Sequence, residues 1–456
     1  MSFLWVSMTT DSRGRTRAGG DEKKEDSVMA KLALLGGKPV REKTAKWPQW
    51  PISTAKDAQL VAKITRSNRW SFDGPYETEF AEKFTAYQGG KFGLCNANGT
   101  VGIHMALESL GIGAYDEVIV PGMTWQATAA ACIDVNAIPI LVDVEPDTWC
   151  MDMDKAEAAI TSKTKAIIVV HLYGCMPDMT RLLKICKKHN LLLIEDCAHQ
   201  HGSFWKGQGV GTFADVSSFS FQESKVLSCG EGGFNICKTK KQFERLYSLR
   251  NCGRGWKDDM RNAIQSGNYR ITEWQAALLL GGLERLDKQV KYRDQNAIYL
   301  NSLLEQIPGV MPMRRRPEVT QQSYFNFTFR LDVAALKGVT NETFCAALNG
   351  ELHAGEAIEP PYEPLNNCGL YKPHTKTRHN LNADYWQAID PKRFDLPVCT
   401  DANAKSGVSV HHAILMGPKK DMHDVADAVA KVVENAEALS KWHPKKERSK
   451  YRALSI

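Results

Sequence analysis

Four short apolar runs constrain this chain more than anything else in it. They are DEVIVPG (Asp116 to Gly122), IPILVDV (Ile138 to Val144), KAIIVVHLYG (Lys165 to Gly174) and LLLIEDCAH (Leu191 to His199), each separated from the next by a helical stretch. Continuous apolar runs of strand length, alternating with helices, are the pattern of strands buried on both faces of a largely parallel sheet. An α/β fold follows, and with it a location for function, because such sheets bind ligands beyond the carboxyl ends of their strands. Trp125, Asp143, His171 and Asp196 fall at or just past those ends.

Around this sheet the chain divides. Residues 1–28 are polar and mixed in charge, with DEKKED at Asp21 to Asp26, and read as a disordered leader ahead of a second start at Met29. Residues 29–52 form an N-terminal arm whose WPQWP (Trp47 to Pro51) packs on the body, since the prolines bar a helix. Helices are predicted over Ile52 to Trp70, with Ser53 or Thr54 as N-cap and Asp57 three residues past Thr54, and over Tyr76 to Gly89. A long helix within Asn268 to Ile307 closes a large domain over 53–307. A smaller C-terminal α+β domain, 308–456, holds the strand-like QSYFNFTFRLD and a closing helix near Met422 to Leu439.

Bulk properties exclude several classes. Lys plus Arg number 58 against 52 Asp plus Glu, a net +6 over 456 residues, too slight to argue for a nucleic-acid partner. No apolar run approaches the roughly 18 residues of a membrane span. The 12 cysteines make no CxxC pair and HExxH is absent, so reduced thiols in a cytoplasmic protein without a metal site are expected. No GxGxxG follows the first strand, which argues against a dinucleotide oxidoreductase.

The stretch Leu191 to Lys238 places Asp196 at the end of an apolar run and a lone amine, Lys225, between SSFSF and a glycine turn. An acid to keep a ring nitrogen protonated and an amine to bond an aldehyde are the two charges that pyridoxal 5'-phosphate requires. Taken singly, each residue also has a plain reading: Lys225 as a surface lysine and Asp196 as a strand-end turn. His199, three residues on, either bonds the carboxylate or a cofactor oxygen, or satisfies local backbone. Trp125 either stacks on a flat ring or fills core. Gly99 and Thr100, at a helix start, and Ser220 offer donors for a phosphate, or are ordinary turn and cap residues.

Seven ordered segments decide between these readings. GTVGIHMALESLGIG, DEVIVPGMTW, VDVEPDTWCMD, HLYGCMPDM, IEDCAHQHGS, SSFSFQESKVLSCGEGG and SGNYRITEWQAALL resemble, in the same order, segments of the DegT/DnrJ/StrS aminotransferases. The resemblance spans roughly Trp47 to the C-terminus and implies a PLP-dependent fold-type I protein, similar to aspartate aminotransferase, working as a homodimer with shared active sites. It implies Lys225 as the lysine bonded to the cofactor and Asp196 as the pyridinium partner. His199 and Trp125 are implied at the cofactor ring, and Gly99, Thr100 and Ser220 at its phosphate. Asn268, otherwise a helix N-cap, is implied to reach the phosphate of the other subunit. WPQWP, SNRW, PPYEPL, TKTRH and HHAIL are similar to the branch acting on scyllo-inosose and 2-deoxy-scyllo-inosose with glutamine. An amino acid donor, glutamine or glutamate, and a cyclic ketone acceptor are therefore expected. Alternatives left open are an aromatising reaction of the 3-amino-5-hydroxybenzoate synthase type and a non-catalytic partner subunit.

Overall fold

The computed structural model describes residues 30–377 and 381–442. The expected leader, 1–28, lies outside the described residues, as does part of TKTRH. Among the described residues no helix is long and apolar enough to cross a membrane.

The four apolar runs are strands of one seven-stranded sheet. Across it lie Phe92–Asn96, Gly233–Cys237, Val216–Ser220, Leu192–Asp196, Thr164–Val170, Glu117–Pro121 and Ile138–Val142. Neighbours pair in parallel from Val216–Ser220 to Ile138–Val142, while Gly233–Cys237 runs antiparallel to both of its neighbours. The fold is thus α/β with a mostly parallel sheet. Ile138–Val142 and Val216–Ser220 are buried at every position, as continuous apolar or small-residue strings in a covered sheet should be.

Local chemistry sets the helix ends. Ala55–Ser67 starts at Thr54, whose hydroxyl accepts from the Asp57 N–H while Asp57 accepts from the Thr54 N–H at 2.8 Å, the reciprocal capping box expected from the spacing. Pro75–Gln88 has glycine at its N-cap, and its first N–H groups are satisfied from elsewhere: the Glu273 carboxylate accepts from Tyr76 N–H at 3.1 Å and Glu77 N–H at 2.9 Å. A Cβ on Gly74 would lie 2.2 Å from Glu273 Cδ and would push that carboxylate off the N–H groups it satisfies.

Glu273 also opens the longest element, Glu273–Leu304, whose N-cap is Thr272. Its first half packs with the seven-stranded sheet's core through Leu279, Leu286 and Val290, and its last turns enter a second core through Ala297, Leu300 and Leu304. That second core lies on a four-stranded antiparallel sheet ordered Val310–Pro312, Asn326–Leu331, Gly407–His411, Ile358–Glu359. Helices Asn341–Leu352 and Lys419–Glu434 cover it. Leu365, Tyr385, Leu396 and Cys399, although late in sequence, pack on the first core.

The N-terminal segment packs on the second core through Leu32 and Trp47. Arg41 pairs with Asp421 at 2.8 Å and Asp424 at 2.6 Å and stacks on Trp47, while the Trp47 indole donates to the Leu352 carbonyl at 3.0 Å.

Candidate active site

The carboxyl ends of the central strands converge with the start of one helix, and there the structure gathers most of the residues expected from sequence. Asp196 closes its strand and is buried. Its Oδ1 accepts from Ala198 N–H at 3.2 Å and its Oδ2 from the Thr128 hydroxyl at 2.9 Å. Thr128 in turn lies 2.9 Å from the Thr124 hydroxyl. Since Thr128 has one proton and gives it to the carboxylate, Thr124 must donate to Thr128. Burial raises the Asp196 carboxyl above its ordinary range, against the pull of Ala198, Thr128, Lys225 and His171. Such a carboxylate is stabilised by a cation placed against it.

Glu195, its neighbour, points to the other face, as strand alternation demands. Its oxygens accept from the backbone N–H groups of Gly211, Phe213 and Ala214 at 3.1, 3.2 and 3.4 Å, so it serves the fold. His171 and Cys197 have ligand atoms near it, all three within 4.8 Å of one another. Burial holds the Cys197 thiol well above its ordinary pKa.

Lys225 sits in the turn after Val216–Ser220, with its N–H on the Gln222 carbonyl at 2.8 Å. The side chain is buried, and Nζ lies 3.9 Å from the Phe325 ring centroid. Among the described residues Nζ makes no hydrogen bond or ion pair. Burial pushes the amine down to about 8, with Asp196 opposing. A lysine that sheds its proton near neutrality is a nucleophile and a base.

His199 accepts the Tyr173 N–H on Nδ1 at 3.1 Å, so in the neutral ring Nε2 carries the proton. The ring is held between Phe325, at 4.0 Å and 17°, and Tyr173, at 5.7 Å and 21°. Burial, then the charge of Lys225, then His201 hold its pKa well below the ordinary value. It is a fixed, uncharged donor.

The anion cradle follows from close packing. Helix Gly99–Ser109 begins directly against the end of Val216–Ser220: a Cβ on Gly99 would come within 2.8 Å of Ser220 Cβ, and Ser218 donates to the Gly99 carbonyl at 2.9 Å. Asn98 caps the Val101 N–H at 3.0 Å, which leaves the Gly99 and Thr100 N–H groups at the helix start to other acceptors. Uncapped N–H groups and a hydroxyl at the positive end of a helix suit a phosphate.

Two expected residues lie apart. Trp125 is 47% exposed and touches the cluster through Tyr362, whose ring centroid is 5.9 Å away. Asn268 is exposed, accepts from its neighbour Arg270 N–H at 3.4 Å and bridges to Asn251. The cap of the long helix falls to Thr272 instead, four residues later. Asp143, another strand-end acid, binds the N–H groups of Val398 and Cys399 at 3.0 Å and anchors that segment.

Sequence reading missed Thr128, Tyr173, Phe325 and Tyr362. Thr128 carried a signal, lying one helical turn past Thr124. Phe325 and Tyr362 come from segments distant in sequence, and nothing local marks them.

The residues present fit pyridoxal 5'-phosphate: a buried, unpaired amine within electrostatic reach of a buried acid, a neutral donor, and a separate phosphate cradle. Comparisons with known proteins agree. Residues 51–414 match the model of the DegT/DnrJ/EryC1/StrS aminotransferase family. An L-glutamine:2-deoxy-scyllo-inosose aminotransferase from Streptoalloteichus tenebrarius is 40% identical over 420 residues, covering 89% of this chain and 98% of that one. One of the same name from Streptomyces fradiae is 39% identical over 429 residues, covering 91% and 100%. Among solved structures, 3-amino-5-hydroxybenzoic acid synthase superposes with a TM-score of 0.74 at 28% identity, over 86% of this chain and 99% of that one. DesI, solved with its TDP-sugar product, shares the fold with a TM-score of 0.75 at 24% identity, over 90% and 98%.

Proposed function

This chain belongs to the DegT/DnrJ/EryC1/StrS aminotransferase family, and on that premise we propose that it carries an amino group from glutamine or glutamate to a cyclic ketone of the inosose class, with pyridoxal 5'-phosphate as cofactor. The relatives named for glutamine and 2-deoxy-scyllo-inosose, matched nearly end to end, support the substrate class. The observation that carries the chemistry is the Lys225 amine, buried without a partner and facing the charge of Asp196.

When bound, the cofactor supplies an aldehyde and an electron-accepting ring. Lys225 is the amine that would bond that aldehyde, and with its pKa lowered to about 8 it would also be able to take and hold the donor's α-proton. Asp196, fixed by Thr128 and Ala198, would keep the ring nitrogen protonated, since a close opposite charge is worth about 1 to 3 pKa units. His199 would offer its Nε2–H to the ring, Trp125 would stack on it, and Gly99, Thr100 and Ser220 would hold the phosphate. Asn268 belongs to the phosphate site of a second copy, which makes the working unit a homodimer. Buried free thiols support a cytoplasmic setting.

The test is spectroscopic. Glutamine added to the cofactor-loaded protein bleaches the visible band, and an inosose added to the resulting amino form restores it. A band indifferent to glutamine and glutamate sinks the aminotransferase reading. A band that bleaches but is restored only by a dehydroshikimate-like ring replaces the acceptor.

A further inference from the structure

The Lys225 backbone is held by groups that its own sheet does not supply. The Lys225 carbonyl accepts the Trp50 indole N–H at 3.1 Å, across 175 residues of chain. The preceding carbonyl, Ser224, accepts from His412 Nε2 at 3.0 Å, across 188 residues. Trp50 comes from the N-terminal segment and His412 from just past Gly407–His411 of the four-stranded sheet. Their rings meet edge to face, with centroids 4.6 Å apart and planes at 81°.

Behind them stands Arg293 of the long helix. Its guanidinium lies 4.6 Å from the Trp50 ring centroid and is wholly buried. None of its three nitrogens has a hydrogen-bond partner among the described residues, and neither does His412 Nδ1. A carbonyl can only accept, so His412 Nε2 must carry the ring proton. Burial, then His411 and the charge of Arg293, keep the ring from taking a second proton. One tautomer therefore serves the contact, and the Ser224 and Lys225 carbonyls are tied to two rings that pack on each other.

We propose that Trp50 and His412 are positioning residues that clamp the Ser224–Lys225 peptide and so fix where the Lys225 amine stands, with Arg293 backing the pair. The inference rests on the role given to Lys225 above. It matters because a flexible side chain delivers its end group only as well as its backbone is placed, and reacting groups are sensitive to shifts of about 1 Å. It also makes the amine's position depend on the N-terminal segment and the four-stranded sheet being docked.

Trp47 separates this from simple anchoring of the same segment. Its indole also donates to a carbonyl, that of Leu352, far from Lys225 in the chain. Trp50→Phe keeps a ring and loses the N–H; His412→Asn removes the imidazole; Trp47→Phe is the comparator. Deuterium uptake by residues 224–230 is followed in cofactor-free protein, where the outcome is independent of the proposed reaction. Trp50→Phe and His412→Asn should each raise that uptake about three- to tenfold, the size one such hydrogen bond carries. In loaded enzyme each should lower kcat for the glutamine half-reaction by a similar factor, leave KM within about twofold, and shift the pH at which the visible band titrates. Trp47→Phe should do none of this. Unchanged uptake, a KM rise without a kcat fall, or an equal effect from Trp47→Phe overturns the clamp. Should His412→Asn not fold, Trp50→Phe alone decides.

Discussion

Two buried charge clusters sit on the same seven-stranded sheet and are built in opposite ways. Around Arg250, whose side chain is buried, Glu77 and Asp73 make direct ion pairs, the latter at 2.5 Å, and the Cys95 carbonyl accepts at 2.9 Å. Burial alone would pull that guanidinium down, yet Glu77 and Asp73 hold it above its ordinary value. Around Lys225 both charges are buried and kept out of contact. The amine faces a ring, the acid faces hydroxyl and amide donors, and burial moves both away from their charged forms. Charge is cancelled around Arg250 and left uncancelled around Lys225, the amine proposed to bond the cofactor.

Substitutions sharpen that contrast. The largest effect is expected from Lys225→Ala: transamination falls to background and the visible band of the lysine-bound cofactor is lost, while the protein stays folded. Turnover near the normal rate would refute the assignment. Arg250→Met should do the reverse. Removing one partner of a buried pair costs about 3 to 5 kcal/mol, read by urea denaturation of the cofactor-free protein, with kcat per folded molecule unchanged. Burial already raises the Glu77 carboxyl, so part of the deficit should vanish at low pH, where Glu77 can take a proton. Asp196→Asn should lower the single-turnover rate with glutamine by about 10² to 10³, the scale of one lost electrostatic contact, with the fold intact. Full retention of that rate would put Asp196 in the same class as Glu195.

The smallest effect concerns pH. Lys225 binds its proton less readily folded, at about 8, than unfolded, at 10.5. The charged form is therefore penalised in the folded state, fully below the folded pKa and not at all above the unfolded one. Stability of the cofactor-free protein should rise as pH climbs from about 8 to about 10.5, by a contribution on the order of 1 to 3 kcal/mol. Lys225→Met should lose that rise, and denaturation midpoints across the window measure it.

What could be read from the chain beforehand follows from range of interaction. The four central strands, the Thr54–Asp57 capping box and the long helix were legible because each is written in consecutive residues. Asp196, Lys225, Gly99 and Ser220 each had a plain local reading as well, and the roles proposed for them came from the seven family-like segments rather than from local marks. Glu273 capping a helix some two hundred residues earlier was not legible, nor was Phe325 beside both His199 and Lys225, because those contacts join segments distant in sequence and exist only once the chain has folded. Asn268 is the extreme case: resemblance assigns it a phosphate, while within one chain its side chain accepts from Arg270 N–H and its backbone bridges to Asn251.

The helix Glu273–Leu304 passes from one core into the other without a break. No string joins the halves, so length there acts as phase. One inserted residue midway would turn everything downstream by about 100° and advance it about 1.5 Å. The imidazole of His412 would swing off Ser224 although every side chain around it was unaltered. Exchanging C-terminal halves between relatives should therefore tolerate many substitutions in this rod and not a single frame-preserving insertion.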